Sequence, residues 1–491
     1  MNVSLKSRPS SVLSTSVIKA LIISSLLVLF VFFPYDSVKY IAKLTHYLID
    51  QLGWGLLLFS SCMVILVLGI GLSPLGKLRL GGQESTEEFS TINWLAMLFT
   101  AGMGSGLIFW GIAEPVFHAY NLPEFAKNHD NSLDTALALT YFHWGIHAWS
   151  IYAISGLVIA WFSYNRGRDL KISSFGLRRF PIFRGVLDHV AIVAILFGVA
   201  GTFANSIALI QTGIEHTFSV SIDSVTFRYS LMMLISMLFT VSSLLGLRRG
   251  IRILSLLNIG IMVLMAFLVF ILLDPLQTLS RMVSSSMSYL TLLPKMSFTI
   301  DSQSRDWSLS WSIIYLVWWV AWAPFVGPFI AKISRGRSIR QFLVCVVMVP
   351  TIASIFWFSI FGGAALEQDF AIQASEVVGK DYTKGLFFFF ENLPLSTYFS
   401  IFALLLLITF IITSADSALL VCGLLSNSNN GKSKIIWAGV LVTLSTSLLY
   451  TNDVDLNKQV AIAGALPFTL VIIIQAFFLL KDMAKKLKDE K

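Results

Sequence analysis

The chain has 491 residues, of which 56% are hydrophobic and only 13% are charged. That charged share is about half of what a soluble domain carries, and apolar runs of roughly 20 residues, long enough to cross a bilayer as a helix, recur along the sequence. These properties exclude a soluble globular protein, and the pattern is not the short alternation of a membrane β-barrel. The net charge of +8 does not indicate a nucleic-acid partner, because the basic residues cluster in short segments between apolar runs, as orientation signals do.

The apolar runs predict an all-α polytopic membrane protein with twelve transmembrane helices. In chain order, the predicted spans cover residues 17–35, 52–75, 91–112, 134–163, 187–218, 228–246, 252–274, 308–332, 341–365, 394–424, 433–450 and 458–480. If the N-terminus is cytoplasmic, 25 of the 35 Lys and Arg residues lie at the cytoplasmic side. This asymmetry predicts that both termini are cytoplasmic.

Three segments outside the central spans carry further expectations. The first apolar run has no obvious cleavage site and is interpreted as a membrane helix rather than a removed signal peptide. Segment 275–307 has spaced apolar residues, which fits either an amphipathic helix in the membrane interface or an ordinary ordered loop. The basic tail 481–491 is expected to lie near anionic lipid at the inner face.

The stretch "TAGMGSGLIFWG" places Gly102, Gly104 and Gly106 at every second position of an apolar run. Each glycine costs a helix interior about 1 kcal/mol relative to alanine. A dinucleotide or phosphate loop would need a strand or a Gly-Lys-Ser/Thr sequence, which are missing here. Gly102 and Gly106 could serve close helix packing. The additional Gly104 favours a helix break, and in transporters such breaks expose carbonyls that bind sodium.

Two aromatic clusters lie on separate predicted spans. The sequence "YFHWGIHAWSIY" contains Trp144, Trp149 and Tyr152, and "WWVAWAPF" contains Trp318, Trp319 and Trp322. An interfacial aromatic belt is one explanation. The other is a cage for a quaternary ammonium group, which cannot donate hydrogen bonds and binds to ring faces.

Two further polar patterns occur inside spans. His143 and His147 have metal-ligand spacing but no third ligand, so we expect network histidines and no transition-metal site. In "FIITSADSALL", Thr413, Ser414 and Ser417 either bond to their own helix or supply hard oxygen ligands to sodium. Asp416 is an ionisable group in a span, which suggests either function or helix contact.

These motifs resemble the betaine/choline/carnitine transporter family (BCCT). The resemblance covers most of the chain and is carried by "RLGGQESTEEFSTINWLAMLFTAGMGSGLIFWGIAEP", "FHWGIHAWSIY", "GLRRGIRILSLLN", "WWVAWAPFVGPFIAKISRGRSIRQF" and "TSADS". It implies one transporter domain over 1–490 in a bacterial inner membrane. After a tail (1–16) and two peripheral helices (17–90), LeuT-type inverted repeats of five helices occupy 91–274 and 308–480, joined by the periplasmic segment 275–307. It also implies a homotrimer.

The resemblance further implies sodium-coupled uptake of a trimethylammonium compound by alternating access, with no organic cofactor. The implied substrate cage consists of Trp144, Trp149, Tyr152, Trp318, Trp319 and Trp322, with Met103, Ser105 and Gly106 beside it. The implied sodium site uses carbonyls near Thr100, Met103 and Phe410 and the hydroxyls of Thr413 and Ser414. A second sodium site would use Thr202 and Ser206, although Phe203 and Asn205 depart from the expected pattern. Sodium-independent exchangers of the family lack this equipment, so its presence here favours coupling to sodium. Sodium-independent exchange is the alternative mechanism.

Two positions in the glycine stretch narrow the range of expected substrates. Gly106 stands where an acidic residue would help to bind choline, which favours a zwitterion such as glycine betaine. Ser105 replaces a bulkier aliphatic residue that the resemblance leads us to expect in betaine carriers, which makes room for a bulkier or more polar substrate such as carnitine or ectoine. Choline is a further alternative. Uptake for nutrition and osmoprotection are both compatible with the short tails.

Overall fold

A computed structural model describes residues 25, 28–127, 131–175, 181–222, 224–245, 250–367, 370–428, 430–451 and 453–489. Within these ranges the chain is helical, apart from loops and one isolated antiparallel bridge between Arg79 and Ser338. The helices are α1 Pro34–Leu72, α2 Thr91–Met103, α3 Gly106–Tyr120, α4 Ser132–Trp144, α5 Ile146–Ala160, α6 Pro181–Phe218, α7 Val225–Leu245, α8 Gly250–Leu272, α9 Pro275–Phe298, α10 Ile314–Ile333, α11 Ile339–Ala365, α12 Phe370–Lys380, α13 Gly385–Glu391, α14 Ser396–Leu425, α15 Gly431–Thr451, α16 Val454–Ala463 and α17 Ala465–Asp489.

The predicted all-α polytopic class is confirmed. In the described part of the chain, ten helical stretches are long and apolar enough to cross a membrane, and they correspond to predicted spans 2 and 4–12. Most of predicted span 1 lies outside the described residues. Predicted span 3 is divided between α2 and α3, neither of which is long enough to cross alone.

Helix α1 begins much earlier than the predicted start of span 2 at residue 52. It starts at Pro34, and Val38, Ala42 and Ile49 are already among its buried residues. Charged residues between them lower the hydropathy of this part but leave a continuous buried face at helical spacing. The prediction of a loop over residues 36–51 was therefore wrong.

Spans 4 and 12, predicted as continuous, are also interrupted. Gly145 separates α4 from α5, and Gly464 separates α16 from α17. A Cβ at Gly145 would lie 2.4 Å from the carbonyl oxygen of Tyr141, and one at Gly464 would lie 2.7 Å from Cα of Ala194. Both interruptions therefore coincide with close backbone approaches that only glycine permits.

The spans pack in two groups that each combine spans from both of the expected five-span repeats. In one group, α3, α4 and α5 (from spans 3 and 4) pack against α11 (span 9), and α5 also packs against α10 (span 8). In the other, α6 and α7 (spans 5 and 6) pack against α14 and α15 (spans 10 and 11). This pairing of equivalent spans is the arrangement expected of repeated units, and α10 contacts the second group through α6 and α14.

Connecting segments cover both ends of this bundle. Most of segment 275–307 forms helix α9 (Pro275–Phe298), which packs on α4 and α11 through buried residues that include Tyr289 and Leu292. At the opposite end, Arg337 is buried, with its guanidinium carbon 4.5 Å from the centroid of the Trp94 ring. Its Nη2 donates to the Phe89 carbonyl at 2.6 Å. Arg337 is one of the basic residues between apolar runs that were interpreted as orientation signals. It therefore also joins the loop after α10 to the start of α2.

Candidate functional site

The break between α2 and α3 lies in the centre of the bundle. Helix α2 ends at Met103, and Gly104 adopts φ 53° and ψ −158°, a backbone conformation that side chains disfavour. Each of the three glycines faces a tryptophan. A Cβ added at Gly102 would lie 2.5 Å from Trp149, one at Gly104 would lie 3.2 Å from Trp322, and one at Gly106 would lie 3.0 Å from Trp144. The missing side chains therefore make room for indole rings.

Trp319 is the centre of the aromatic cluster. Its ring centroid lies 5.2 Å from that of Trp144, 5.6 Å from that of Tyr152 and 6.4 Å from that of Trp149. The Trp144 and Tyr152 rings meet Trp319 edge to face, a favoured aromatic geometry. Four of the six predicted cage residues are thus brought together from α4, α5 and α10.

The other two predicted cage residues lie on different sides of α10. Trp318 is half-buried, with its ring 6.2 Å from that of Tyr315. Trp322 packs against the backbone at Gly104 and Gly198. A cavity of about 30 Å³ lies between these groups and is lined by Gly102, Met103, Gly106, Trp110, Trp144, Thr202, Tyr315, Trp318, Trp319 and Trp322. Trp149 and Tyr152 stand one layer behind it, against Gly102.

Several buried polar atoms around this cavity have no hydrogen-bond partner among the described residues. They are Nε1 of Trp149, Nε1 of Trp322, the Tyr152 hydroxyl and the Ser414 hydroxyl. Buried polar groups in folded proteins are normally paired. A cluster of unpaired polar groups around the break is expected where the protein binds a polar or charged ligand.

The predicted sodium ligands on α14 lie next to the break. A Cβ at Gly104 would be 3.4 Å from the Ser414 hydroxyl. The Thr413 hydroxyl donates to the Phe410 carbonyl at 3.0 Å and also approaches the Thr409 carbonyl at 3.1 Å. Met103 is buried at the end of α2. Thr100 lies in α2, but its side chain is outside the described part of the chain.

The predicted second ion site lies on α6, at the other side of the break. The Thr202 hydroxyl donates to the Gly198 carbonyl at 3.0 Å, and Thr202 lines the cavity. The Ser206 hydroxyl lies 2.5 Å from the hydroxyl of Ser105. Ser105, singled out as a clue to the substrate, is therefore buried and bonded to α6.

A buried carboxylate, Glu114, was missed by the sequence analysis. Its Oε2 accepts hydrogen bonds from Trp144 Nε1 at 2.7 Å and from the Tyr315 hydroxyl at 2.5 Å. Its Oε1 lies 2.6 Å from Nδ1 of His143. Predicted span 3 ended at residue 112, which placed Glu114 in a loop. The spacing of Gly106, Trp110 and Glu114, four residues apart on one helical face, was the available signal.

The two histidines predicted as a pair are separated by the break at Gly145. His143 and His118 lie beside Glu114, and the three side chains offer ligand atoms within 4.8 Å of one another. His147 instead has Nε2 3.2 Å from the Ser297 hydroxyl and 3.4 Å from the Ser61 hydroxyl. Glu114 and His143 form a hydrogen-bonded network with Trp144 and Tyr315. His118 lies beside it with Nε2 3.5 Å from Glu114 Oε1, and neither of its ring nitrogens has a hydrogen-bond partner among the described residues.

Lys458 is a second functional-site candidate that sequence reasoning missed. Its side chain is buried, and Nζ lies 4.7, 5.4 and 5.6 Å from the ring centroids of Trp110, Trp311 and Tyr382. Nζ also pairs with Asp455 at 3.0 Å. Trp110 is therefore shared between this ammonium group and the central cavity. Lys458 stood at the predicted edge of span 12, where a basic residue is ordinarily an interfacial charge.

Residues 14–488 match the family model described as BCCT, betaine/carnitine/choline family transporter. The chain is 33% identical over 471 residues to the glycine betaine transporter OpuD of Bacillus subtilis, covering 93% of this chain and 91% of OpuD. It is 32% identical over 453 residues to an ectoine/hydroxyectoine transporter of Virgibacillus pantothenticus, covering 88% of each chain.

A solved structure titled as the substrate-bound outward-open state of a Na+-coupled sialic acid symporter matches with a TM-score of 0.47 and 13% identity, covering 89% of this chain and 87% of that one. This similarity is too low to carry a functional argument. The family match and the relatives agree with the motifs, the helical architecture and the resemblance first seen in the sequence. The chain is a multi-pass membrane protein that belongs to the betaine/carnitine/choline transporter family.

Proposed function

We propose that this protein is a sodium-coupled symporter for a trimethylammonium zwitterion, with glycine betaine as the first candidate substrate. The observation that carries the proposal is the meeting of three glycines, three tryptophan rings and an unpartnered serine hydroxyl at one helix break. Such a site offers a cation both aromatic faces and oxygen ligands. Its central position between the two groups of spans suits a transporter.

The trimethylammonium group would bind among the rings of Trp144, Trp318, Trp319 and Trp322, with Trp149 and Tyr152 supporting them. Quaternary ammonium groups carry no N–H and gain about 0.5–2 kcal/mol from an aromatic face, more when water is excluded. Met103, Ser105 and Gly106 form the adjacent backbone. The described residues that line the cavity include no acid, so no like charge in the lining repels the carboxylate of a zwitterion.

Sodium would be held by Ser414, Thr413 and carbonyls near Thr100, Met103 and Phe410. Ser414 fits this role because its buried hydroxyl has no partner among the described residues. Thr413 fits as well, since a hydroxyl that donates its hydrogen still has lone pairs for a cation. A bound sodium ion supplies positive charge that links carbonyls of the break to α14. Thr202 and Ser206 are proposed as a second, weaker ion site.

Transport would proceed by rocking of the group formed by α3–α5, α10 and α11 against the group formed by α6, α7, α14 and α15. We place the protein in a bacterial inner membrane with both termini cytoplasmic, consistent with the distribution of basic residues. We also propose a homotrimer, with the basic C-terminal segment close to anionic lipid.

The choice among betaine, choline, carnitine and ectoine can be tested by thermal stabilisation of the purified protein. A ligand that binds the folded state raises the melting temperature, by an amount that grows with concentration over Kd. We expect glycine betaine with sodium to give the largest shift, and choline a smaller one. A shift by choline that exceeds the betaine shift would contradict the zwitterion assignment, and equal shifts in sodium and potassium would contradict a sodium-dependent site.

A further inference from the structure

Glu114 lies outside the predicted cage, yet it contacts two aromatic residues that line the cavity. It is fully buried on α3, and its Oε2 accepts from Trp144 Nε1 and the Tyr315 hydroxyl. We infer that Glu114 is a positioning residue of the substrate site, which fixes the cage rings and supplies a negative charge behind them. This inference rests on the proposed binding of a trimethylammonium group in the cage.

The positioning argument begins with Trp144, which α3 holds at both ends. The benzene end of the indole packs over Gly106, where an added Cβ would lie 3.0 Å from Cη2. The pyrrole end donates its N–H to Glu114 at 2.7 Å. An indole N–H is only a donor, so this bond sets both the tilt and the rotamer of the ring. Two fixed points on one helix therefore determine which face Trp144 presents to the cavity.

The same carboxylate connects α3 to the other helices of the cage. The Tyr315 hydroxyl belongs to α10, and His143, whose Nδ1 lies 2.6 Å from Oε1, belongs to α4. The His143 carbonyl in turn accepts the N–H of Trp319 at 2.8 Å. The hydrogen-bonding groups of Trp144 and Tyr315 are thus paired with Glu114, and the N–H of Trp319 is paired with His143, which is itself bonded to Glu114. Such connected networks act as a unit and couple their members.

The charge argument follows from what the carboxylate faces. A buried carboxylate stays ionised when it accepts strong hydrogen bonds. Oε2 of Glu114 accepts an indole N–H and a phenol O–H at short distance, and Oε1 faces Nδ1 of His143 at 2.6 Å and Nε2 of His118 at 3.5 Å. A negative charge at the edges of two rings makes their faces more attractive to a cation. Glu114 therefore offers the cage a counter-charge without occupying the cavity. A substrate without its own carboxylate gains most from this charge, because a zwitterion carries an opposing negative group.

The test uses fluorescence titration of purified wild type and Glu114→Gln with glycine betaine and with tetramethylammonium, a cation that carries no carboxylate. The variant keeps the shape of the side chain but removes its charge and one acceptor. We expect the Kd for glycine betaine to rise about 10- to 100-fold and the Kd for tetramethylammonium to rise further. The matched control is Asp188→Asn, since Asp188 is also a buried carboxylate that accepts two bonds, both from Ser173, and it lies apart from the cage. Its affinities should stay at wild-type values.

A second variant, Tyr315→Phe, keeps the ring and removes only the hydroxyl, so it stays informative if Glu114→Gln fails to fold. We expect a several-fold loss of affinity, and the effects of Glu114→Gln and Tyr315→Phe should not add, because both remove one network. Wild-type affinity in either folded variant would overturn the inference. An equal loss for both ligands in Glu114→Gln would overturn its charge component. A wild-type protein that binds neither ligand would instead overturn the proposed function itself.

Discussion

Helix α3 supports the aromatic cluster in two different ways. At its start, Gly106 contacts Trp144 by having no side chain, so the benzene end of the ring approaches the backbone. Two turns later, Glu114 contacts the same residue through a hydrogen bond to the indole nitrogen. The first contact is steric, because an added Cβ would lie 3.0 Å from the ring and force it to shift, whereas the second is polar and depends on a charge. The Trp144 ring is therefore positioned at one end by the missing side chain of Gly106 and at the other end by a hydrogen bond to the carboxylate of Glu114.

The largest effect is expected at Trp319, whose ring contacts Trp144, the ring held by both kinds of support. Trp319→Leu removes the ring that contacts Trp144, Trp149 and Tyr152. A cation–π contact is worth about 0.5–2 kcal/mol, and this variant loses the Trp319 ring face and lets its neighbours move, so we expect the Kd for glycine betaine to rise more than about 100-fold. Trp437→Leu, at a buried tryptophan on α15, is the control. Similar affinity in both variants would remove Trp319 from the site.

The steric side of the comparison is tested by Gly102→Ala. The new Cβ would lie 2.5 and 2.7 Å from two atoms of the Trp149 ring, so the ring must move. Overpacking of this kind costs the fold about 1–3 kcal/mol. Because the displaced ring also disturbs the cage in front of it, we expect the loss of affinity in isothermal titration to equal about one cation–π contact, about 10- to 30-fold. Gly69→Ala on α1 serves as the control because nothing lies within 4 Å of its added Cβ. If both variants bind equally well, the glycines are not making room for the rings.

The ion side of the break is tested by Ser414→Ala. Its hydroxyl is buried without a partner among the described residues, whereas Ser417 donates to the Thr413 carbonyl of its own helix. We expect Ser414→Ala to raise the sodium concentration for half-maximal uptake about tenfold, because losing one ligand worth about 1.4 kcal/mol weakens binding by that factor. Ser417→Ala should leave the sodium dependence unchanged. An unchanged sodium dependence in Ser414→Ala would remove this hydroxyl from the ion site.

The smallest effect is expected at Ser105. Its hydroxyl is bonded to that of Ser206, so Ser105→Ala leaves one buried hydroxyl unpaired. We expect a loss of about 1 kcal/mol of stability, visible as a small decrease in melting temperature, with the order of substrate preference retained. Ser447→Ala, whose hydroxyl bonds only within α15, provides the stability reference. A changed order of preference among betaine, carnitine and ectoine would show that Ser105 contacts the substrate.

The helical class and family followed from the sequence because their signals are local. Apolar runs report spans directly, and the clustered tryptophans and glycines lie within a few residues of one another. The exception was α1, whose charged first half hid a helix with a buried face at Val38, Ala42 and Ile49. Hydropathy measures composition, and the burial of that face is set by neighbouring helices.

The contacts of Glu114 and Lys458 could not be predicted because they join distant segments. Glu114 meets residues 29, 30 and 201 positions away, and Lys458 lies over rings from three separate elements. A single charged residue at the edge of an apolar run is ordinarily interfacial, so its type alone does not reveal burial. Only the packing of α3 against α4 and the hydrogen bond from Tyr315 of α10 turn Glu114 into a support for the cage.

The central claim is that the cage and the adjacent oxygen ligands together drive sodium-coupled uptake. The most direct measurement is accumulation of labelled glycine betaine by proteoliposomes that contain the purified protein, under an inward sodium gradient and under a matched potassium gradient. The account predicts accumulation above the external concentration with sodium and only equilibration or less with potassium. Equal accumulation under both gradients, or uptake that requires a substrate inside the vesicle for exchange, would contradict it.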